Sequence, residues 1–125
     1  MKLLKDQKRI LLLDTDNSII DAVDDLLQTG KWEVLITHNA LNIYDQALAF
    51  HPDLVVMDYR LLAGKCAGIC NKLSNDPLLK PVPVIIISSK KSKKIRTAAN
   101  NCQAIFLKPF DMGTLIPGIE YLMAS

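Results

Sequence analysis

The sequence predicts an α/β fold in which helices cover both faces of one parallel β-sheet. Short, continuous apolar runs alternate along the chain with segments whose apolar residues recur at helical spacing. Continuous apolar strands between amphipathic helices are typical of a parallel sheet that is buried on both faces. The length of 125 residues suits one domain with one core, so we expect a single domain over residues 1–125.

Each predicted strand is an apolar run of strand length that ends at or before a polar residue. These runs occupy residues 9–13, 32–37, 54–57, 84–87 and 104–107. The segments at 18–27, 40–50, 67–73 and 92–100 are predicted helices, and a last helix is expected after Phe110. Pro117 and Gly118 fall within that last helix, which therefore either starts late or bends there.

Five βα units joined by right-handed crossovers leave few topologies. At this length the doubly wound, flavodoxin-like (βα)5 sheet with strand order 2-1-3-4-5 is the natural choice, and its ligands bind beyond the carboxyl ends of the strands. Four of these predicted ends carry side chains capable of chemistry, namely Asp14, Asp58, Ser88 and Lys108. We therefore expect the functional site at this edge of the sheet.

The composition excludes several classes of protein. Half of the residues are apolar and 22% are charged, which is typical of a globular protein and not of a disordered one. The net charge of +2 is too small to imply a nucleic-acid or membrane partner. No apolar run approaches the roughly 20 residues of a membrane span. The basic segment 1–9 fails as a signal peptide because Asp14 ends the apolar stretch behind it, so we expect a cytoplasmic protein.

Three cysteines, Cys66, Cys70 and Cys102, cannot all pair within one chain, and reduced thiols in a cytoplasm are the simpler interpretation. Cys66 and Cys70 are four residues apart and would share a helix face, which suggests a metal site. A zinc site needs about four ligands, however, and neither His38 nor His51 lies at a zinc-motif spacing. We interpret the cysteines as small core or surface residues.

The four strand-end residues form a set with one chemical purpose. Asp58 offers an oxygen nucleophile that can form an acyl phosphate. Asp14 can help to hold a divalent cation that neutralises charge on an entering phosphoryl group. Ser88 can donate a hydrogen bond to a phosphoryl oxygen, and Lys108 can place a positive charge beside the same group. Together these residues predict phosphoryl transfer.

Four segments carry a resemblance to a known family. They are residues 9–14 (RILLLD), 52–58 (PDLVVMD), 83–88 (PVIIIS) and 108–111 (KPFD). In order and in spacing, they resemble the receiver domains of two-component response regulators, and the resemblance extends over nearly the whole chain. The resemblance thus implies a phosphoprotein in a phosphorelay that signals by a phosphorylation-dependent surface change.

The resemblance also implies a role for each site residue. Asp58 would be the phosphoacceptor, which receives its phosphoryl group from a histidine kinase or a phosphotransfer protein. Ser88 and Lys108 would contact that group, and Mg²⁺ would be held by Asp14, Asp58 and the backbone carbonyl of Arg60. Such a protein is not an enzyme with a separate substrate, although it would catalyse its own phosphorylation and dephosphorylation.

The sequence departs from the family pattern at the metal site. The family carries two adjacent acids after the first strand, and the second of them is replaced here by Thr15. A hydroxyl is a much weaker ligand for a hard cation than a carboxylate, so we expect weakened Mg²⁺ binding. Asp16 lies one residue further on and would need a different direction to compensate.

Other departures concern the loop after Asp58 and the expected rotamer switch. Leu62 replaces the family's proline and Cys66 its glycine, so we expect another loop shape, with Gly64 restoring some conformational freedom. In the family, an aromatic residue three positions before the lysine often switches rotamer, and Ile105 stands at that position here. Phe106 comes one residue later and should point to the opposite face of its strand.

Two alternative functions stay open. In a pseudo-receiver, the same fold would bind a protein without being phosphorylated, as the substitutions at Thr15 and Ile105 suggest. In a haloacid-dehalogenase-like phosphatase, Asp14 would be the nucleophile and Asp16 the general acid. That family needs a further acidic pair after another strand, and the phosphatase leaves Asp58 without a role.

Residues 90–96 include five basic side chains near the fourth predicted helix. A solvated helix end is the simpler interpretation of this run. In receiver domains, however, this region often belongs to the output face, which would suit an acidic partner protein. The resemblance therefore suggests an output partner at the Lys90 to Arg96 face.

Overall fold

The computed structural model describes residues 8–13, 32–62, 64–90, 92–107, 117–118 and 121. Within these residues, five parallel strands form one sheet in the order β2-β1-β3-β4-β5, which confirms the predicted topology. The strands are β1 (Lys8–Leu13), β2 (Trp32–Thr37), β3 (Leu54–Asp58), β4 (Val84–Ser88) and β5 (Ala104–Leu107). All five predicted strands are therefore confirmed, with shifts of at most one residue at their ends.

The described helices agree with the predicted ones after small changes at their ends. They are α1 (Ile43–Phe50), α2 (Cys66–Asn75) and α3 (Lys93–Ala98), with short 3-10 helices at Ala40–Asn42 and Tyr59–Leu62. The predicted helix at 18–27 and most of the predicted last helix lie outside the described residues; Pro117, Gly118 and Tyr121 are helical. None of the helices described is both long and apolar enough to cross a bilayer.

Side-chain caps explain where two of these helices begin. The predicted helix at 40–50 opens as a 3-10 turn, in which the side chain of Asn39 accepts the N–H of Leu41 at 2.9 Å. Ser92 was expected inside its helix, but it is the N-cap of α3 and its hydroxyl accepts the N–H of Ile95 at 3.1 Å. Serine and asparagine favour such caps because they satisfy backbone donors that lack a partner within the helix.

The sheet is buried on both faces, as the continuous apolar strands predicted. Alternate residues of β1 and β3 enter two separate apolar clusters, with Leu11 and Met57 in one and Leu12 and Val56 in the other. Each fully buried Leu, Met or Val side chain contributes about 1.5–3 kcal/mol to burial free energy. This double burial holds the central strands rigidly and fixes the positions of their carboxyl ends.

The expectation for β5 is also confirmed. Ile105 packs on the first cluster and Phe106 on the second, so the two side chains lie on opposite faces of the sheet. The ring of Phe106 approaches the terminal helix closely: a Cβ at Gly118 would lie 2.9 Å from its Cζ atom. The aromatic ring therefore packs beneath this helix, and an aliphatic side chain occupies the face where the family has its switching aromatic.

The loop after β3 contains the residues that depart from the family pattern. Leu62 ends the 3-10 helix and is fully buried, and Cys66 is buried at the start of α2. Gly64 adopts a positive φ of 79°, a conformation that a residue with a side chain rarely takes. Gly64 therefore adopts a backbone conformation that requires the freedom expected of a glycine at this position.

A polar network ties the amino end of β3 to β1. The N–H of Asp53 donates to the carbonyl of Arg9 at 2.7 Å, and the N–H of Arg9 donates to Oδ2 of Asp53 at 2.8 Å. The guanidinium of Arg9 reaches Glu33 at 3.2 Å and the carbonyl of Phe50 at 2.9 Å, and it lies over the Phe50 ring. These contacts fix the chain where it enters β3.

Candidate functional site at the carboxyl edge of the sheet

Asp58 and Ser88 end neighbouring strands at the same edge of the sheet. Asp58 is paired with Ile87 in the register of β3 and β4, so Ser88 follows immediately beyond that pair. Both residues are only 4% exposed, which is unusual for aspartate and serine. The structure therefore brings together two of the four predicted site residues at a buried position.

The other two predicted residues follow the same edge in sequence. Leu13 is paired with Met57, and Leu107 is paired with Ser88. Asp14 and Lys108 come directly after Leu13 and Leu107, but both lie outside the described residues, as do Thr15 and Asp16. Their roles therefore remain sequence-based predictions.

Asp58 is held in place by the turn that follows it. The 3-10 helix at Tyr59–Leu62 folds the chain back, so the N–H of Arg60 donates to Oδ1 of Asp58 at 2.9 Å. The guanidinium of Arg60 lies 3.7 Å from Oδ2, although the Arg60 side chain itself is 69% exposed. A backbone donor and a positive charge therefore compensate for part of the desolvation of this buried carboxylate.

Ser88 makes two hydrogen bonds within its own loop. Its hydroxyl donates to the carbonyl of Lys90 at 2.7 Å and accepts the N–H of Lys90 at 3.1 Å. A serine hydroxyl has one proton to donate, so a bond to any other acceptor requires release of the Lys90 carbonyl. The hydrogen bonding of the Ser88 hydroxyl is therefore linked to the conformation of the connection between β4 and α3.

The described donors are of the kind that Mg²⁺ prefers. The Asp58 carboxylate and the carbonyl of Arg60 are hard oxygen ligands, and Mg²⁺ is commonly held by one or two carboxylates together with waters and phosphate oxygens. Across the described ranges, no group of three or more His, Cys, Asp or Glu side chains could hold a metal ion. The further carboxylate that the sequence predicts, Asp14, lies outside those ranges.

Two features of the site were missed by sequence reasoning. The guanidinium of Arg60 lies beside Asp58, whereas only its backbone carbonyl had been assigned a role. The backbone of Lys90 holds the Ser88 hydroxyl. A signal existed for the second feature, because serine commonly bonds to the backbone two residues further on. The exposed side chain of Arg60 has no comparable local signal.

A groove lies beside this site on the face formed by α3 and β5. It has a volume of about 220 Å³ and is lined by Lys90, Ser92, Ile95, Arg96, Ile105 and Leu107. The basic side chains of Lys90, Lys93, Lys94 and Arg96 are exposed, and Lys91 lies outside the described residues. The groove therefore combines an apolar floor with positive charge at its rim.

Comparisons with known proteins agree with the observed fold. A sequence profile of the response regulator receiver domain matches residues 10–120. The polar-differentiation response regulator DivK of Brucella ovis is 25% identical over 115 residues, which cover 90% of this chain and 94% of DivK.

Two solved structures show the same fold at low sequence identity. The receiver domain of a sensor histidine kinase from Pseudomonas aeruginosa, with a magnesium ion in its active-site cleft, superposes with a TM-score of 0.80 at 16% identity, covering 95% of this chain and 99% of that domain. A putative response regulator from Chloroflexus aurantiacus gives a TM-score of 0.81 at 18% identity, covering 95% of this chain and 99% of that one.

Proposed function

Since this chain belongs to the receiver domain family of two-component response regulators, we propose that Asp58 accepts a phosphoryl group from a histidine kinase or a phosphotransfer protein. The observation that carries the proposal is the buried Asp58 carboxylate at the carboxyl end of β3, with Ser88 ending the neighbouring strand. This arrangement offers a nucleophile and a hydrogen-bond donor at one edge of the sheet.

Phosphoryl transfer to Asp58 requires mainly that the reacting groups are correctly positioned and that the negative charge on the phosphoryl oxygens is stabilised. An oxygen of the Asp58 carboxylate attacks phosphorus, an acyl phosphate forms, and the bond to the donor's imidazole nitrogen breaks. The Ser88 hydroxyl turns from the Lys90 carbonyl to a phosphoryl oxygen, and the ammonium group of Lys108 neutralises another. These groups stabilise the charge on the transferred group and on the acyl phosphate that results.

Mg²⁺ fits this site and would be held by the carboxylates of Asp14 and Asp58 and by the backbone carbonyl of Arg60. When bound, it neutralises negative charge on the phosphoryl oxygens. Thr15 replaces an acid at a position where the family has a metal ligand, so the affinity for Mg²⁺ is reduced unless Asp16 compensates. The magnesium ion in the Pseudomonas aeruginosa receiver domain supports the same cofactor for this chain.

The output surface is the groove between α3 and β5, with the basic face that runs from Lys90 to Arg96. Release of the Lys90 carbonyl by Ser88 alters the connection that leads into α3, which begins at the Ser92 cap. The basic rim of the groove then changes its position relative to β5. A partner protein with an acidic surface is the complement of this face.

The test is intact-mass spectrometry after incubation with acetyl phosphate, with and without Mg²⁺. The wild type gains one phosphoryl group in a Mg²⁺-dependent reaction, and Asp58→Asn gains none. Asp53→Asn is the matched control at the other end of β3 and labels as the wild type does. Thr15→Asp, which restores the family's second acid, labels at lower Mg²⁺ concentrations than the wild type.

Other outcomes identify the alternatives. No adduct in the wild type, combined with no Mg²⁺ binding by calorimetric titration, would support a pseudo-receiver that acts through its surface alone. An adduct that persists in Asp58→Asn but disappears in Asp14→Asn would support the phosphatase with Asp14 as its nucleophile.

A further inference from the structure

Three free cysteine thiols form a chain of sulfur contacts between α2 and the turn after α3. Cys66 and Cys70 lie one turn apart on α2, with their Sγ atoms separated by 3.9 Å. Cys102 belongs to the turn between α3 and β5, and its Sγ lies 2.9 Å from that of Cys70. Cys66 and Cys70 are core residues, as the sequence suggested, and the fold also gathers all three sulfur atoms in one place.

We propose that Cys70 and Cys102 form a reversible disulfide when a hydroperoxide oxidises them. Their sulfur atoms are within about 1 Å of the bonded distance of about 2.05 Å, so only a small movement separates contact from bond. Cys66 lies further from Cys70, and its Sγ also contacts the carbonyl of Ala98 at 3.7 Å. The geometry therefore selects the pair that joins two separate elements of the fold.

Access to solvent decides which thiol reacts first. Cys66 and Cys70 are 1% and 2% exposed, whereas Cys102 is only partly buried. An oxidant from solution therefore reaches Cys102 before the other two. Cys70, directly behind it, is positioned to resolve the oxidised sulfur.

The raised pKa values of Cys66 and Cys70 agree with this order. The pKa of Cys70 is raised to about 12, chiefly because its hydrogen bond with Cys102 stabilises the protonated thiol. The pKa of Cys66 is also raised, chiefly by its hydrogen bond to Cys70 and then by burial. Cys70 therefore keeps its proton until Cys102 has reacted, and it attacks only an activated sulfur.

With a hydroperoxide, the reaction balances in two steps. The Cys102 thiolate attacks one peroxide oxygen, the O–O bond breaks, and Cys102 becomes a sulfenic acid while hydroxide takes the thiol proton and leaves as water. The Cys70 sulfur then attacks the Cys102 sulfur, the S–O bond breaks, and the departing hydroxide takes the Cys70 proton. Two thiols and one hydrogen peroxide thus give one disulfide and two waters.

The disulfide would connect parts of the chain that are 32 residues apart in sequence. It would join α2, which follows the loop after Asp58, to the turn that leads into β5. A polar contact between Asn101 and Asn71 already joins the same two elements on the surface. Oxidation would therefore replace the non-covalent contact between Cys70 and Cys102 with a covalent bond that lasts until the disulfide is reduced.

The test is non-reducing peptide mapping of the reduced protein after treatment with hydrogen peroxide and alkylation. Trypsin places Cys66 and Cys70 on the peptide 66–72, and Cys102 on the peptide 97–125 because Pro109 protects the bond after Lys108. The two peptides should appear joined, with a loss of two hydrogens and with one alkyl group on Cys66. Dithiothreitol should restore three alkylatable thiols.

Matched variants identify the pair. Cys66→Ala should form the same link between peptides, whereas Cys70→Ala and Cys102→Ser should not. A link in Cys70→Ala, a disulfide confined to the peptide 66–72, or oxidation of Cys102 to a sulfinic acid without a link would each overturn the proposal. The phosphoryl-transfer assay is independent of this result, because Asp58→Asn should still form the disulfide.

Discussion

Strand β3 has an aspartate at each end, Asp53 immediately before its first residue and Asp58 as its last. Each carboxylate accepts a backbone N–H from an arginine, Asp53 from Arg9 at 2.8 Å and Asp58 from Arg60 at 2.9 Å. Their surroundings differ, because Asp53 is exposed and Asp58 is 4% exposed. An aspartate paired with an arginine is therefore solvent-exposed at the amino end of β3 and buried at its carboxyl end.

The difference shows how position decides the role of a carboxylate. At the amino end, Asp53 and Arg9 join two strands and contribute to folding. At the carboxyl end, burial of Asp58 is unfavourable for folding unless polar contacts compensate for it. A parallel sheet directs all of its carboxyl ends to one edge, where side chains from several strands can act on one ligand. A buried acid at that edge is consistent with a chemical role.

After Asp58→Asn, which abolishes labelling, the largest effect on phosphorylation is expected at Ser88, and it tests whether residues from neighbouring strand ends act on the same group. Ser88→Ala should reduce the rate of phosphorylation by acetyl phosphate about tenfold, or about 1.4 kcal/mol, because a hydrogen bond to the phosphoryl group is lost. Ser88→Thr keeps the hydroxyl and should retain most of the rate. Time courses of adduct formation by intact mass measure both variants. An unchanged rate in Ser88→Ala would mean that the hydroxyl serves only the Lys90 turn.

The second prediction compares the two aspartates by stability. Asp53→Ala should lower the free energy of unfolding by about 1 kcal/mol, because the N–H of Arg9 loses its acceptor. Asp58→Asn should leave it unchanged or raise it by up to about 2 kcal/mol, because a buried charge is removed while an acceptor oxygen remains. Urea denaturation measures both changes. A large loss of stability in Asp58→Asn would contradict the distinction between the two ends.

The smallest effect is expected at Arg60, whose side chain is largely exposed. Arg60→Ala should change the free energy of unfolding by less than about 0.5 kcal/mol, since the Arg60 side chain is 69% exposed, lies 3.7 Å from Oδ2 and is screened by solvent. The same change should tighten Mg²⁺ binding by about two- to fivefold, because a positive charge near the cation is removed while the backbone carbonyl stays. Calorimetric titration, with Arg60→Lys as the charge-preserving control, measures this effect. Weaker binding in Arg60→Ala would show that the guanidinium supports the site.

Local sequence patterns were enough to predict the strands, their order and the positions of Asp58 and Ser88 at the carboxyl edge of the sheet. The strands were predictable because a parallel sheet covered on both faces requires continuous apolar runs, which are local patterns. Asp58 and Ser88 were predictable because the last residue of such a run necessarily lies at the carboxyl edge. The opposite faces of Ile105 and Phe106 followed from strand geometry alone.

The contacts between residues far apart in the chain could not be predicted from the sequence. The contact between Cys70 and Cys102 depends on how α2 packs beside the turn after α3, and no local periodicity encodes that packing. The position of the Arg60 guanidinium beside Asp58 depends on the 3-10 turn after β3. Local patterns specify which face of a strand or helix is buried, whereas side-chain contacts depend on the packing of elements far apart in the chain.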